Sequence, residues 1–369
     1  MKNNKQIFPG CNCAIADYNN ACQQKIKQVT QLLGPLNEFH FMENPLYYRH
    51  KVIASFGLEK KKILAGMIDS KNNKILDIEN SPIEHPLAIK IIQEIKKLVI
   101  SFKWKVDYRG YIADCLRHVL IRVSNYSQKA LVVLITNSNR LKGLRQFSQA
   151  LIKAIPEIDC LYLCINNRDS SIVLTDNIKH LAKNSYLREN VLGLDYDIGP
   201  LSFFQINPEM MKVLYTRAIE CLNLKGNETI LDCYCGLGSI SLLLAKKAKF
   251  VVGIENNFSS IKGAKHNARM NNINNIEFIC EDSGSFMKKS KYKFDIIVVD
   301  PPRSGLSKEF INGLLINLPN KFLYISCNPI TCARDLKKLK NHYKIDYRIL
   351  VDQFPMTEHV ETVVLLSKL

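Results

Sequence analysis

The 369-residue chain carries 51 Lys and Arg against 34 Asp and Glu, a formal net charge of +17, and 47% of its residues are hydrophobic. That length suits two domains with a small appendage, and the apolar fraction is large enough for a sizeable core. No apolar run approaches the roughly 18 residues of a membrane span, and the opening MKNNKQIFPGCNC lacks the apolar stretch of a secretory signal, so a cytoplasmic protein with no membrane partner is expected.

Residues 1–34 form an irregular, cysteine-bearing N-terminal segment that turns helical over 24–34 and stops at Gly34-Pro35. From 46 to 80, the runs YYRHKVIASFG, KKILAGMID and KILDIE read as strands separated by charged or Asn-rich turns. A helix is predicted over 85–102. HVLIRVSN and ALVVLITN read as paired strands ahead of a helix near 142–154, and CLYLCIN and SSIVLTD extend the strand pattern. Residues 35–204 are therefore expected to form a central α+β domain rich in antiparallel sheet. Near residue 205 the rhythm changes. After a helix over 207–223, short apolar strands (TILDCY, FVVGIE, IEFICED, FDIIVVD, FLYISC) alternate with helices, and a last strand pair falls near 343–350 and 360–367. That alternation predicts an α/β fold for 205–369, a doubly wound, Rossmann-like parallel sheet.

The basic excess favours a polyanionic partner such as a nucleic acid. It is densest over 101–150, where nine Lys and Arg face two Asp. Lys103, Lys105, Arg109, Arg117, Arg122, Arg140, Lys142 and Arg145 are the candidate cations facing such a nucleic acid, RNA on the resemblance given below, with Trp104 and Tyr108 among them as stacking platforms. Some of these charges must simply solvate an outer face. Of the 12 cysteines, Cys160, Cys164 and Cys280 sit in apolar runs and read as small core residues; a cytoplasmic chain keeps them reduced.

LDCYCGLGSISLLLA (231–245) is a strand, a glycine turn and a helix. Gly236 and Gly238 would let the backbone approach a ligand closely, just ahead of a helix N-terminus. A lone G-x-G also fits a nicotinamide enzyme or a plain tight turn. The nicotinamide fingerprint wants a third glycine, and Ser241 stands in that place. Glu255 ends the next strand, about 20 residues on, where a carboxylate can accept both ribose hydroxyls. With Asp232, Asp282 and Asp300, four acidic side chains mark four successive strand ends. S-adenosylmethionine offers donors to match them: its ammonium, ribose hydroxyls and adenine amino group. Acidic residues also cap helices, so the pattern alone leaves that reading open.

FLYISC ends on Cys327, ahead of Asn328-Pro329 and a helix. A cysteine there lies at the crevice where such folds bind ligands, and a helix N-terminus beside it would lower its pKa toward thiolate. On its own it also suits plain packing, as Cys332 in the following helix is expected to do.

Together, SFFQINP (202–208), LDCYCGLGSISL, VDPPRSGL (299–306), LYISCNPITCARDL (323–336) and DQFPMTEHVETVVLL (352–366) resemble the RNA uridine-5-methyltransferases, in order over the whole C-terminal half. YYRHKVIASFG and LRHVLIR resemble that family's central domain. The 23S ribosomal RNA members look most similar, and the tRNA T-loop enzymes share most of the motifs. The resemblance implies a transferase that uses S-adenosylmethionine to make 5-methyluridine in 23S rRNA; a monomer is expected. It implies that Cys327 is the nucleophile that adds to carbon 6 of uracil and that Glu361 is the base that removes the proton from carbon 5. Gln205, Tyr234, Glu255, Asp282 and Asp300 match cofactor-contacting positions, and Phe203 matches an aromatic near the target base. Asp300 and Arg303 would orient the pyrimidine edge. The target uridine must leave its stack to reach such a crevice.

The N-terminus departs from the family. Many relatives hold an iron–sulfur cluster with C-x5-C-x2-C and a fourth cysteine downstream. ACQQK aligns Cys22 with the third position, which puts Asn19 at the second and Cys13 at the first; Ser81 replaces the fourth. Such clusters need four thiolates, so no cluster and no metal are expected, although Cys11 could offer a third ligand. Two other functions remain: a tRNA T-loop methyltransferase on the same chemistry, and a catalytically silent RNA-binding or assembly factor, against which the intact Cys327 and Glu361 stand.

Overall fold

The computed structural model describes residues 11–69, 72–168, 172–289 and 292–369. Helix α1 (Tyr18–Leu33) buries a stripe of Tyr18, Cys22, Lys25, Val29 and Leu33 and ends at Gly34, whose φ of 91° favours glycine. It begins six residues earlier than its sequence pattern implies, because Tyr18 and Cys22 belong to the buried stripe. Strand β1 (Glu38–His40) follows.

The next elements build the first sheet: β2 (Lys51–Glu59), β3 (Lys62–Ile68), β4 (Ile75–Asp77), α2 (Pro86–Ser101), β5 (Lys105–Val106), β6 (Cys115–Val123), β7 (Ala130–Thr136), α3 (Leu144–Ala154), β8 (Ile158–Ile165) and β9 (Ile178–Lys183). The strands run in the order β4-β3-β2-β6-β7-β8-β9, with β5 beside β6. Pairing is antiparallel except at β5–β6 and at β7–β8, which α3 connects. Helices α2 and α3 cover one face through Ile91, Ile92, Ile95, Phe147 and Leu151, which meet Phe56, Val119 and Val132 of the sheet. This is the α+β architecture expected of the central region.

A hairpin, β10 (Leu187–Val191) and β11 (Leu194–Ile198), leads to the second sheet. Its elements are α4 (Pro208–Leu222), β12 (Thr229–Cys233), α5 (Ser239–Ala245), β13 (Phe250–Glu255), α6 (Phe258–Met270), β14 (Ile276–Cys280), α7 (Ser283–Lys289), β15 (Ile296–Val299), α8 (Lys308–Asn317), β16 (Lys321–Ser326), α9 (Pro329–Leu339), β17 (Tyr343–Val351) and β18 (Glu361–Lys368). The order is β1-β17-β18-β16-β15-β12-β13-β14, parallel except for β18, which is antiparallel to both neighbours. Strands such as β15, buried along their whole length, are apolar throughout because helices cover both faces. Asn207, Asn257 and Asn328 cap α4, α6 and α9 with their side chains, and proline follows the cap at α4 and α9.

Two stretches within 35–204 pack against this second sheet. Strand β1 pairs in parallel with β17. The hairpin lies on α6, where Asn271 Oδ1 accepts from the Asp195 backbone N–H (2.9 Å) and Asn267 Oδ1 from that of Asp197 (3.0 Å). Tyr196 and Ile198 join the same core as Leu242, Ile261 and Ala264. Neither stretch has a signal of its own in the sequence, since three and five residues are too short for periodicity to assign.

Candidate active site

The register of the second sheet gathers the chain's chemistry on one edge. Cys233 of β12 pairs with Ile254 of β13 and Val299 of β15. Tyr234, Glu255 and Asp300 therefore stand side by side at the carboxyl ends of three strands. Tyr324 of β16 pairs with Val299, and Ser326 with Thr362 of β18. Because β18 runs antiparallel, the next step along β16 is Cys327 and the matching step back along β18 is Glu361. These two residues, 34 apart in sequence, stand at adjoining ends of one strand pair, close enough for the Glu361 carboxylate to act on the Cys327 thiol.

On the β12 side, Tyr234 and Gly236 adopt left-handed backbone, with φ of 66° and 54°. A Cβ built on Gly236 would meet nothing within 4 Å, so open space lies above the turn. Glu255 accepts from the Gly236 N–H (3.3 Å) with one oxygen and from the Asn257 N–H (2.9 Å) with the other. Gly238 instead serves packing, because a Cβ there would come within 2.8 Å of the Phe278 ring. Asp232 is fully buried; one oxygen accepts from the Ser241 hydroxyl, and the other has no partner. Burial, with the nearby Asp300 and Glu255, pushes Asp232 up to about 7. Gln205, 6% exposed, accepts from Gln353 Nε2 at 3.3 Å. Asp282 is exposed and accepts from the Ser285 N–H at 2.8 Å, the cap of α7. An orphaned buried carboxylate oxygen, an open glycine turn and a line of acceptors fit a ligand rich in donors, as S-adenosylmethionine is.

On the β16 side the expectation of a lowered thiol pKa is corrected. Burial, and then the carboxylates of Glu361 and Asp300, push the Cys327 thiol up to about 11, against a smaller lowering influence of Arg303. Asn328 stands between the thiol and α9, using its side chain on the Ile330 N–H (3.2 Å). Helix proximity is therefore outweighed by desolvation. Glu361 is 3% exposed, and one oxygen has no partner. Burial, and then Asp300, hold it well above the usual carboxylate range. Half-buried Asp300 is itself pushed up to about 7 by desolvation. Arg303 is exposed and donates to His359 Nδ1 at 2.8 Å, while its carbonyl accepts from Asn328 Nδ2 at 3.0 Å. Phe203 stands 62% exposed, two residues before Gln205.

Sequence reasoning missed the residues behind this edge. Asp335 of α9 is fully buried and accepts from the Leu306 N–H (2.8 Å) and the Tyr324 hydroxyl (3.0 Å), tying the loop after β15 to β16. Asp352 pairs with Lys25 of α1 (2.7 Å) and accepts from the Tyr18 hydroxyl (2.8 Å). Both networks join residues far apart in sequence, which no local pattern reveals.

Three candidates of the basic stretch face inward. Trp104 is 7% exposed, stacks on Phe147 at 3.9 Å and donates to the Lys142 carbonyl (2.8 Å). Arg117, 4% exposed, donates to the carbonyls of Tyr108, Asn166 and Arg168. Arg122, 3% exposed, donates to the carbonyls of Ser202 (3.0 Å) and Phe204 (3.2 Å). They are not RNA-facing. Arg122 instead pins the loop that carries Phe203. Lys103, Lys105, Arg109, Arg140, Lys142 and Arg145 do not share this burial.

At the N-terminus, Cys11 and Cys22 are buried among apolar side chains, Cys13 is half-buried, Asn19 is exposed and Ser81 is buried. Burial pushes the Cys11 and Cys22 thiols up to about 12 and about 11. Among the described residues, no group of three or more His, Cys, Asp and Glu is placed to hold a metal ion. An amide and a hydroxyl cannot replace two thiolates, so these residues do not fit an iron–sulfur cluster. No helix among the described residues is long and apolar enough to cross a membrane.

A doubly wound sheet whose open edge gathers donor-seeking carboxylates beside a cysteine is the frame of an S-adenosylmethionine-dependent methyltransferase. Comparison with known proteins narrows that class. Residues 17–369 match the family model of tRNA (Uracil-5-)-methyltransferase, and the chain belongs to this family. An uncharacterized RNA methyltransferase of Halalkalibacterium halodurans is 33% identical over 374 residues, covering 97% of this chain and 81% of that protein. One from Clostridium tetani is 33% identical over 372 residues, covering 97% and 80%. Among solved structures, the Pyrococcus abyssi tRNA (uracil-54, C5)-methyltransferase in complex with S-adenosyl-L-homocysteine superposes with a TM-score of 0.80 at 28% identity, covering 95% of this chain and 83% of that one. The protein is an RNA uracil-5-methyltransferase that takes its methyl group from S-adenosylmethionine.

Proposed function

We propose that the chain methylates carbon 5 of a uridine in 23S rRNA through a covalent adduct on Cys327, with Glu361 as the base. The observation that carries the mechanism is the strand register that sets Cys327 opposite Glu361. Uracil carbon 5 is a weak nucleophile. The Cys327 thiol first gives its proton to solvent water; bonding of the thiolate sulfur to carbon 6 then moves the double-bond electrons onto carbon 5 and the carbonyl oxygen at carbon 4. S-adenosylmethionine supplies an electrophilic methyl group. Gln205, Tyr234, Asp232, Glu255, Asp282 and Asp300 would hold it, with Gly236 and Gly238 shaping the turn beneath. Once carbon 5 carries the methyl, Glu361 takes its proton, the carbon 5–carbon 6 double bond reforms, and the thiolate leaves.

The raised pKa values set what binding must change: Cys327 has to lose its proton before it attacks, and Glu361 has to be ionised when it takes the carbon 5 proton. In the free protein the thiol stays protonated and inert, and Asp300 and Glu361 cannot both ionise cheaply in the same buried spot. Arg303 opposes the shifts of Cys327 and Glu361. When substrate draws Arg303 off His359, its charge can support the developing enolate and the thiolate together. Phe203 would stack beside the extruded base.

The N-terminal cysteines, which resemble the ribosomal branch, support the 23S substrate. The TM-score of 0.80 to a tRNA (uracil-54, C5)-methyltransferase supports the second reading, a tRNA substrate. Methyl-labelled S-adenosylmethionine, offered with unmodified 23S RNA and unmodified tRNA separately, distinguishes them. Label in 5-methyluridine of 23S RNA, absent with Cys327→Ala, is expected. Label only in tRNA moves the substrate, and label in neither removes the enzymatic reading for both.

A further inference from the structure

A second cleft, of about 320 Å³, opens between the first sheet and α6. Tyr162 of β8 and Ile178 of β9 form one wall, Lys262 and Arg269 of α6 the other, and residues 199–202 the floor. None of the candidate residues above lies in it.

Its position ties it to the active edge. Helix α6 leaves the carboxyl end of β13 just after Glu255, so its first turns stand at the edge that holds the cofactor carboxylates. The floor continues directly into Phe203 and Gln205. From Gly199 to Phe203 the chain can span at most about 14 Å, and Arg122 holds the end of that loop through the Ser202 and Phe204 carbonyls. An RNA strand that places a base beside Phe203 passes this cleft within a few nucleotides.

Its chemistry fits such a strand. The Tyr186 ring is 47% exposed and lies over His266, with centroids 5.7 Å apart and planes 23° from parallel. Lys262 is exposed and makes no hydrogen bond or ion pair among the described residues. Among the described residues Arg269 uses only Nε, on the Lys265 carbonyl (3.2 Å), which leaves its terminal nitrogens uncommitted there. The acidic group in the cleft is already engaged: Asp197 takes Arg188 at 2.7 Å and His266 at 2.8 Å. An aromatic face flanked by two unpaired cations is the arrangement that holds single-stranded nucleic acid, with the base on the ring and the phosphate on the cations.

We propose that this cleft is a nucleotide subsite for the single-stranded RNA flanking the target uridine, with Tyr186 stacking a base and Lys262 and Arg269 binding its phosphates. The proposal rests on the RNA-substrate reading, so it is tested by binding rather than turnover. Equilibrium binding of in vitro transcribed 23S rRNA and tRNA would be measured for the wild type, Tyr186→Ala, Tyr186→Phe and the double variant Lys262→Ala/Arg269→Ala, across a range of salt. Unchanged S-adenosylmethionine binding and melting temperature would confirm that each variant is folded.

Tyr186→Ala is expected to weaken binding of the methylated RNA about tenfold or more, and Tyr186→Phe to retain it. The double variant should lower the slope of log affinity against log salt by about 1 to 1.5, two phosphates' worth on a single strand. In turnover, KM for RNA should rise with kcat nearly unchanged. Unchanged affinity and slope in folded variants would overturn the subsite even if the wild type methylates RNA. A wild type that binds RNA with the expected sensitivities but methylates neither transcript would uphold the subsite and overturn the choice of substrates instead.

Discussion

In the first sheet, Arg117 and Arg122 are 4% and 3% exposed, and their guanidinium groups donate to three and two backbone carbonyls. In the second sheet, Asp232 and Glu361 are 0% and 3% exposed, and each keeps one carboxylate oxygen without a protein partner. Both pairs remove ionisable groups from water. The arginines recover that cost through fixed hydrogen bonds, so they serve architecture. Each orphaned oxygen costs about 1–3 kcal/mol, and nothing in the fold offsets it. At the carboxyl ends of the strands, beside the open glycine turn, such an oxygen is available to a ligand's donors. On the proposed mechanism, the difference separates side chains that hold the scaffold from those that would meet cofactor and base, though all four are buried ionisable groups on sheets.

The largest effects should fall on the waiting groups. Cys327→Ala should lower methyl transfer by about 10⁴-fold or more while cofactor and RNA binding persist. Retention of turnover within tenfold would dismiss the nucleophile. Glu361→Gln should slow turnover by about 10²–10⁴-fold, and it should do so by trapping: without a base for the carbon 5 proton, the methylated RNA stays joined to Cys327. A protein–RNA adduct that survives denaturing gel electrophoresis, and that Cys327→Ala lacks, is the expected readout. Loss of turnover with no adduct would place Glu361 before the methyl step.

The scaffold group should behave in the opposite way. Arg122→Ala leaves two carbonyls unpaired at the base of the Phe203 loop and should cost about 3 kcal/mol of stability, measured as a lower urea midpoint. Since Lys offers one point of donation instead of a fork, Arg122→Lys should recover only part of it. An unchanged midpoint in Arg122→Ala would mean that the loop is held by other contacts.

Much of this contrast is legible in the sequence. The strand ends that carry Asp232, Glu255, Asp300 and Cys327 follow from apolar runs closed by a polar residue, a pattern that parallel sheets impose. The pairing of Cys327 with Glu361 required the antiparallel strand β18, whose partner periodicity cannot name. The basic stretch misled for a related reason. In β6, every residue from Cys115 to Val123 is buried, so Arg117 and Arg122 read as surface charge by composition and as core by position. The cleft at Tyr186 left no motif at all, because its walls come from β8, β9, the hairpin and α6, which only the folded chain assembles.

The smallest predicted effect separates the two regions by pH alone. Folded Asp232 is pushed up to about 7, against an ordinary value near 3.8. Between about pH 4 and 7 the folded protein therefore holds a proton that the unfolded chain has released, and stability falls as pH rises through that window before levelling off. The amide introduced by Asp232→Asn cannot ionise, and its oxygen can still accept from Ser241. Asp232→Asn should thus gain stability over the wild type progressively from pH 4 to 7, by on the order of 1–3 kcal/mol at pH 8, while binding S-adenosylmethionine more weakly. Arg122 is lowered only to about 10 by its burial, so the cost of Arg122→Ala should stay flat below about pH 9. Urea midpoints at several pH values test both curves. A constant offset between wild type and Asp232→Asn would mean that the carboxylate is ionised throughout, and that the second sheet, like the first, stabilises its buried charge by itself.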